Sequence, residues 1–109
     1  MPESSEFLPG TLYMLILRTL ASGPLHGYAI AKRIKTASHE ALSIEEGSLY
    51  PALNRMLVKG WLEAEWGVSE TNRKARFYSL TPVGRKQLAL ETAEFQRLVD
   101  AIGLVMKEA

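Results

Sequence analysis

Few residues in this chain have the types and spacing for chemistry. There is no cysteine, which excludes a disulfide framework, thiolate metal sites and a cysteine nucleophile. His26 and His39 are the only histidines. They fall in different loops with no acidic partner at ligand spacing. His26 reads as a turn residue that bonds backbone or caps the helix after it. Glu45–Glu46 sits at a helix start, where the macrodipole favours acids. Glu63 and Glu65 project from one face of a strand. No Gly-rich phosphate loop, nucleophile elbow or zinc spacing is present. The expectation is no enzyme, no cofactor and no metal. What remains is contact chemistry. Asn54 and Arg55 are side-chain types that engage base edges in a bidentate manner. Arg73, Lys74 and Arg76 form a compact cationic group suited to phosphates.

The elements that must position these residues follow from caps and periodicity. Gly10–Thr11 opens a first helix to about Ser22, with Thr11 as N-cap and Gly23–Pro24 as the stop. It is apolar nearly all round (Leu12, Tyr13, Met14, Leu15, Ile16, Leu17, Leu20), so both sides need cover. One side is expected to face a second subunit. Leu25–His26–Gly27 reads as a turn, and Tyr28 to about Ser38 as a second helix. That helix has an Ala29, Ile30, Ile34 stripe, with Lys32, Arg33 and Lys35 off it, facing water or an anion. The linker Ser38–Ser43 is read with a short extended piece ending at Ile44.

The third helix runs from about Glu46 to Lys59, stopped by Gly60. Ser43 and Glu46 have capping-box spacing, whereas Pro51 is comfortable only in a first turn. A start near Glu46 with one hydrogen bond lost at Pro51 reconciles them. On a helical wheel Leu49, Leu53, Met56 and Leu57 face the core. Gly47, Ser48, Pro51, Asn54 and Arg55 face outward, with Tyr50 at the boundary. An idle solvated face usually carries Glu and Lys; this one is small at its start and polar beyond, which permits close approach to a surface.

Trp61–Trp66 alternates as a strand, and Ala75–Leu80 returns across the polar loop Gly67–Lys74, where Asn72 suits positive φ. A basic hairpin directly after such a helix is the wing of a winged helix. Thr81 and Pro82 then start the last helix as N-cap and first helical residue. It continues to about Lys107, roughly 39 Å at 1.5 Å per residue, and outruns so small a fold. Leu88, Phe95 and Ile102 repeat every seven residues, and Leu98, Val99, Val105 and Met106 widen the seam. With Leu12 and Leu15 these are the expected homodimer contacts.

The chain has 109 residues, 47% of them hydrophobic, and a formal net charge of +1. That is one compact unit by size, read as a winged helix-turn-helix domain over 1–81 and a dimerisation helix over 82–109. The fold class is mainly α (α+β). The small net charge conceals a bias. Residues 32–86 hold ten basic and six acidic side chains, while both flanks are net acidic. Met1 to Gly10 has no basic residue, so it does not read as a signal peptide. No apolar run approaches the ~20 residues of a membrane span. A cytoplasmic protein with no membrane partner is expected.

Five stretches resemble the PadR family of winged-helix transcriptional regulators, short branch. They are Gly10-Thr-Leu-Tyr-Met-Leu-Ile-Leu, Gly23-Pro-Leu-His-Gly-Tyr, Glu46-Gly-Ser-Leu-Tyr-Pro-Ala-Leu-Asn-Arg-Met, Lys59-Gly-Trp-Leu and Asn72-Arg-Lys-Ala-Arg-Phe-Tyr-Ser-Leu-Thr-Pro-Val-Gly. The resemblance implies a homodimer that binds a pseudo-palindromic double-stranded DNA operator and usually represses nearby genes. Carried over, Ser48, Tyr50, Pro51 and Asn54 fall at recognition-helix positions, Tyr50 donating to a phosphate, and Arg73, Lys74 and Arg76 fall on the wing. Some short-branch members bind flat hydrophobic drugs between subunits, which makes Phe95 and Met14 candidates for contact with a small hydrophobic effector. Phe95 stands where some drug binders have Trp; it also lies on the seven-residue seam, where it reads as interface packing. A reading of another class, a winged-helix dimer that binds protein and not DNA, has the intact wing cations against it.

Overall fold

The computed structural model describes residues 9–108. The leader reading for the N-terminal stretch falls largely outside them, as does Ala109. The order is α1 (Pro9–Leu20), β1 (Leu25–His26), α2 (Gly27–Ala37), α3 (Glu46–Val58), β2 (Leu62–Val68), β3 (Lys74–Leu80) and α4 (Pro82–Glu108). This is the expected mainly helical winged helix-turn-helix with a long last helix. No helix among the described residues is long and apolar enough to cross a membrane.

The core is one cluster. Ile16, Leu17 and Leu20 of α1 meet Ile30 and Ile34 of α2, Leu49, Ala52, Leu53 and Met56 of α3, and Leu62, Tyr78 and Leu80 of the sheet. The apolar periodicity of each helix is therefore spent on one shared interior. The α1 surface differs from expectation in one respect. Leu12 is 6% exposed and belongs to this core, while Leu15 packs against it. A helix in the middle of a small fold can be covered by α2, α3 and α4 at once, so its girdle of apolar residues does not by itself require a second subunit. Leu88 of α4 likewise packs against the protomer's own core.

Several boundaries move for local reasons. α1 starts at Pro9 rather than capping at Thr11, with proline in the first turn, where its missing N–H costs nothing. Leu25–His26 is a strand and not a turn, pairing antiparallel with Tyr78 and Phe77 to make a sheet of order β1-β3-β2. The Ser38–Ser43 linker contains no strand; His39 and Glu40 both take positive φ there. The capping box at Ser43 does not form, because Glu45 is the N-cap of α3 and makes no side-chain cap bond. The start at Glu46 holds, with Pro51 inside the helix. Asn72 has φ 63° and Gly60 φ 78°, as their turn and stop roles require.

The junction between α3, the wing and α4 is tightly built. The Gly60 N–H donates to Leu57 O, and the Trp61 N–H to Met56 O at 3.0 Å, the paired bonds that close a helix C-terminus. The Thr81 hydroxyl donates to Gly60 O at 2.6 Å and accepts from the Gly84 N–H at 2.9 Å, so Thr81 caps α4 as expected. The Thr81 N–H donates to Trp61 O. A Cβ added at Gly84 would stand 2.1 Å from that same carbonyl. From here α4 runs outward, and everything after Glu91 is exposed.

Gly84→Ala is therefore expected to destabilise the fold by about 1–3 kcal/mol through overpacking, and Thr81→Ala by about 1 kcal/mol through the lost cap. Urea unfolding followed by circular dichroism measures both; a neutral Gly84→Ala would show that α4 leaves the sheet at a looser angle.

Candidate nucleic-acid interface

The outward face of α3 is built as its wheel predicts. Gly47, Tyr50, Pro51 and Asn54 are exposed, and Ser48 is half-buried. Leu49, Leu53 and Met56 anchor the opposite face, with Ala52 beside them. Arg55 is exposed, but its Nε–H donates to the Tyr13 hydroxyl at 2.7 Å. Its guanidinium also lies 5.7 Å from the Tyr13 ring centroid. Tyr13 in turn meets Trp61 edge-on at 5.4 Å, with Lys59 Nζ 5.3 Å from the Trp61 ring. Arg55 thus ties α3 to α1, a use that the wheel alone did not reveal.

β2 and β3 pair from Leu62↔Leu80 to Val68↔Lys74. Because side chains alternate across a strand, Leu62, Ala64, Trp66 and Val68 share a face with Leu80, Tyr78, Arg76 and Lys74. At the base of the hairpin that face is core. Beyond the core the same face continues outward as the wall of an open groove. The tip is closed by Ser69 N–H donating to Arg73 O and Asn72 N–H to Ser69 O.

The groove has a volume of about 650 Å³ and lies between this wall, the start of α2 and the first turns of α3. It brings together Arg73, Lys74 and Arg76 of the wing, Tyr50 of α3 and Lys32 of α2. Ser48, Pro51, Asn54 and Arg55 are not among its lining residues; they occupy α3 itself. Tyr50 reaches the groove because α2 begins with glycine: a Cβ at Gly27 would lie 2.5 Å from the Tyr50 hydroxyl. Burial, followed by the nearby Glu46 carboxylate, pushes the Tyr50 phenol above its ordinary pKa; like any phenol it is a proton donor at neutral pH.

His26 does what its position suggested, its Nδ1 accepting the Ala29 N–H at 3.2 Å to cap α2. That bond places the ring proton on Nε2, which lies 3.7 Å from Glu70 of the wing tip. Glu70 is the one carboxylate among the lining residues. A backbone hydrogen bond within Glu70 holds its carboxyl below the usual carboxylate range, with His26 and Lys32 contributing. Lys32, Tyr28 and Trp66 are groove residues that the motif reading did not assign. Trp66 was visible in principle, since it shares strand parity with Leu62 and Ala64 but lies past the end of the core. Phe95 and Met14 are not brought to the groove. Phe95 is exposed on α4, and Met14 half-buried on α1. No cluster of metal-ligating side chains occurs among the described residues.

Comparison with known proteins places this architecture. Residues 16–90 match the family described as "Transcriptional regulator PadR-like family". The transcriptional regulator Rv3488 of Mycobacterium tuberculosis is 29% identical over 93 residues, covering 85% of this chain and 83% of its own. The solved structure of a transcriptional regulator from Clostridium thermocellum is 30% identical with a TM-score of 0.79, covering 86% of this chain and 91% of its own. A PadR family transcriptional regulator from Eggerthella lenta is also 30% identical, with a TM-score of 0.76 over 92% of this chain and 85% of that one. The family is one of DNA-binding regulators and not of enzymes. With the matched region running from the second half of α1 through the first turns of α4, and the groove and wing within it, this chain belongs to the PadR-like family of transcriptional regulators.

Proposed function

We propose that this protein is a homodimeric repressor that binds a pseudo-palindromic operator in double-stranded DNA. The observation that carries the proposal is the groove, where Lys32, Arg73, Lys74 and Arg76 face one space beside the exposed, small-residue face of α3. Four cations against one carboxylate suit a polyanion. α3 enters the major groove, where Gly47, Ser48 and Pro51 allow close approach and Asn54 reads a base edge. The Tyr50 hydroxyl and the groove cations hold the adjoining phosphates, which set register and much of the affinity. Arg55 supports this surface from its bond to Tyr13 and extends its cationic edge.

The dimer contact is the outer part of α4. Phe95, Leu98, Val99, Ile102 and Val105 are exposed and lie along one side of the helix. Leu12, Leu15 and Leu88 support α1 and α4 from within the protomer instead. A small hydrophobic effector, held between subunits near Phe95 and Met14, acts by preferring one angle between paired α4 helices. The protein works in the cytoplasm, where the operator is.

Selection of bound duplexes from random DNA tests the whole reading. An inverted repeat with half-sites about one helical turn apart, on the order of 34 Å, is expected; an asymmetric site would overturn the twofold arrangement.

Replacing Arg73 and Lys74 together by alanine is expected to weaken binding to every duplex. It should also flatten the slope of log affinity against log salt by about 2. Asn54→Ala should instead relax preference for the selected sequence while sparing random DNA; equal loss on both would assign Asn54 to the backbone.

Ile102→Glu, in the middle of the α4 stripe, is expected to yield a folded monomer by sedimentation. Its operator affinity should fall at least about tenfold, because the second half-site is lost. A variant that remains dimeric would place the subunit contact elsewhere.

A further inference from the structure

Charge gives the indole of Trp66 no task in the groove. Trp66 is 63% exposed and lines the groove. It pairs with Arg76 across the hairpin, and Lys74 Nζ lies 5.3 Å from its ring centroid. The Arg76 guanidinium sits 5.9 Å from the Tyr78 ring. Aromatic and cationic side chains therefore alternate down this wall as Tyr78, Arg76, Trp66 and Lys74.

The indole has no role in the interior. The buried cluster ends at Tyr78, with Ala64 packed against it, and Trp66 is not part of it. Lys74 lies over the ring, yet most of the residue remains exposed, and it lines the groove. Large aromatic surface left in water is stabilised when a partner covers it. The surrounding cations specify a polyanion, so the covering surface must be an apolar element of a polyanion. In a nucleic acid strand, the sugar between two phosphates answers that description. The spacing agrees: Lys74 and Arg76 are two residues apart on β3, about 7 Å along the strand, with Trp66 beside them on β2.

We propose that Trp66 is the wing's apolar DNA contact, its indole packing on a deoxyribose whose flanking phosphates are held by Lys74 and Arg76. The proposal rests on the DNA-binding reading above and adds a distinct signature. A sugar contact is indifferent to base sequence and releases no counterion. It contributes affinity without contributing to the salt slope.

The test uses the full chain and a fluorescein-labelled duplex of about 30 base pairs, long enough for two half-sites, of random sequence, titrated at several salt concentrations. Trp66→Ala is expected to bind roughly tenfold more weakly at every salt concentration, with the slope unchanged. Trp66→Phe should keep most of the affinity. Trp66→Thr, a residue at home in an exposed strand, should reproduce the alanine loss with a native circular dichroism spectrum. Wild-type affinity in both the alanine and threonine variants overturns the inference alone. So does a slope that flattens by about 1, because Trp66 would then act by holding Lys74. A wild-type protein that ignores duplexes even at low salt overturns the DNA reading and this inference with it.

Discussion

The carbonyl of Trp61 joins α3 to the helix that leaves the domain. Its own N–H is bonded to Met56 O at the end of α3, and its oxygen accepts the Thr81 N–H at the start of α4. The bare Gly84 backbone closes over the same oxygen. Two consecutive peptide groups, Gly60 and Trp61, thus fix α3, the base of the wing and α4 relative to one another. The Trp61 ring locks the junction from the other side by its edge-on contact with Tyr13, which α3 also grips through Arg55. A change in the direction of α4 must therefore be carried to α3 as a rigid movement, or be resisted.

The outer face of α3 departs from what stability alone would select. Pro51 inside the helix removes a backbone donor, and Gly47 forgoes helix propensity. Val58 stands almost fully exposed. These departures are tolerable because the inner face carries the helix: Leu49, Ala52, Leu53 and Met56 are all but inaccessible. Rigidity comes from packing on one side, and the other side is left free to be small. The same division runs along the hairpin. One strand face is core at its base and a cationic, aromatic wall at its tip, so the core that orders Tyr78 also aims Arg76, Trp66 and Lys74.

Much of this was legible because each signal was local. Thr81–Pro82, Gly60, Asn72 and the cap at His26 act within a few residues, and each behaves as its chemistry requires. The apolar periods of α2 and α3 pointed to the right faces. The failures share a different cause, which is that they depend on what lies across space. Leu25–His26 becomes a strand only because Tyr78 and Phe77 pass beside it. Leu12 and Leu88 were apolar at plausible interface spacing, yet the fold buries or half-buries them internally. The bond of Arg55 to Tyr13, across 42 residues, is likewise invisible on a wheel and adds a structural tie to an exposed cation. Ser43 has capping-box spacing to Glu46, but the chain enters α3 two residues later, at Glu45. In the sequence Trp66 shows only a strand's alternation, because where the core stops along a hairpin is a tertiary fact.

The apolar side of α4 connects stability to the proposed regulation. Phe95, Leu98, Val99, Ile102, Val105 and Met106 have no cover within the protomer. Burying them between two copies yields on the order of 10 kcal/mol per protomer at ordinary transfer values, from which the cost of association is subtracted. That surplus is large enough to hold a dimer, yet it comes from slender helices that touch their own domains only near Leu88. In the proposed dimer, helices paired over such a seam can adopt neighbouring crossing angles, whereas the Trp61 junction is held by backbone hydrogen bonds on both sides. The proposed dimer thus has its compliance between subunits and its stiffness within them. A hydrophobic molecule lodged in the seam would displace the two α3 helices as rigid bodies, and the half-site spacing would respond before the fold of either protomer did.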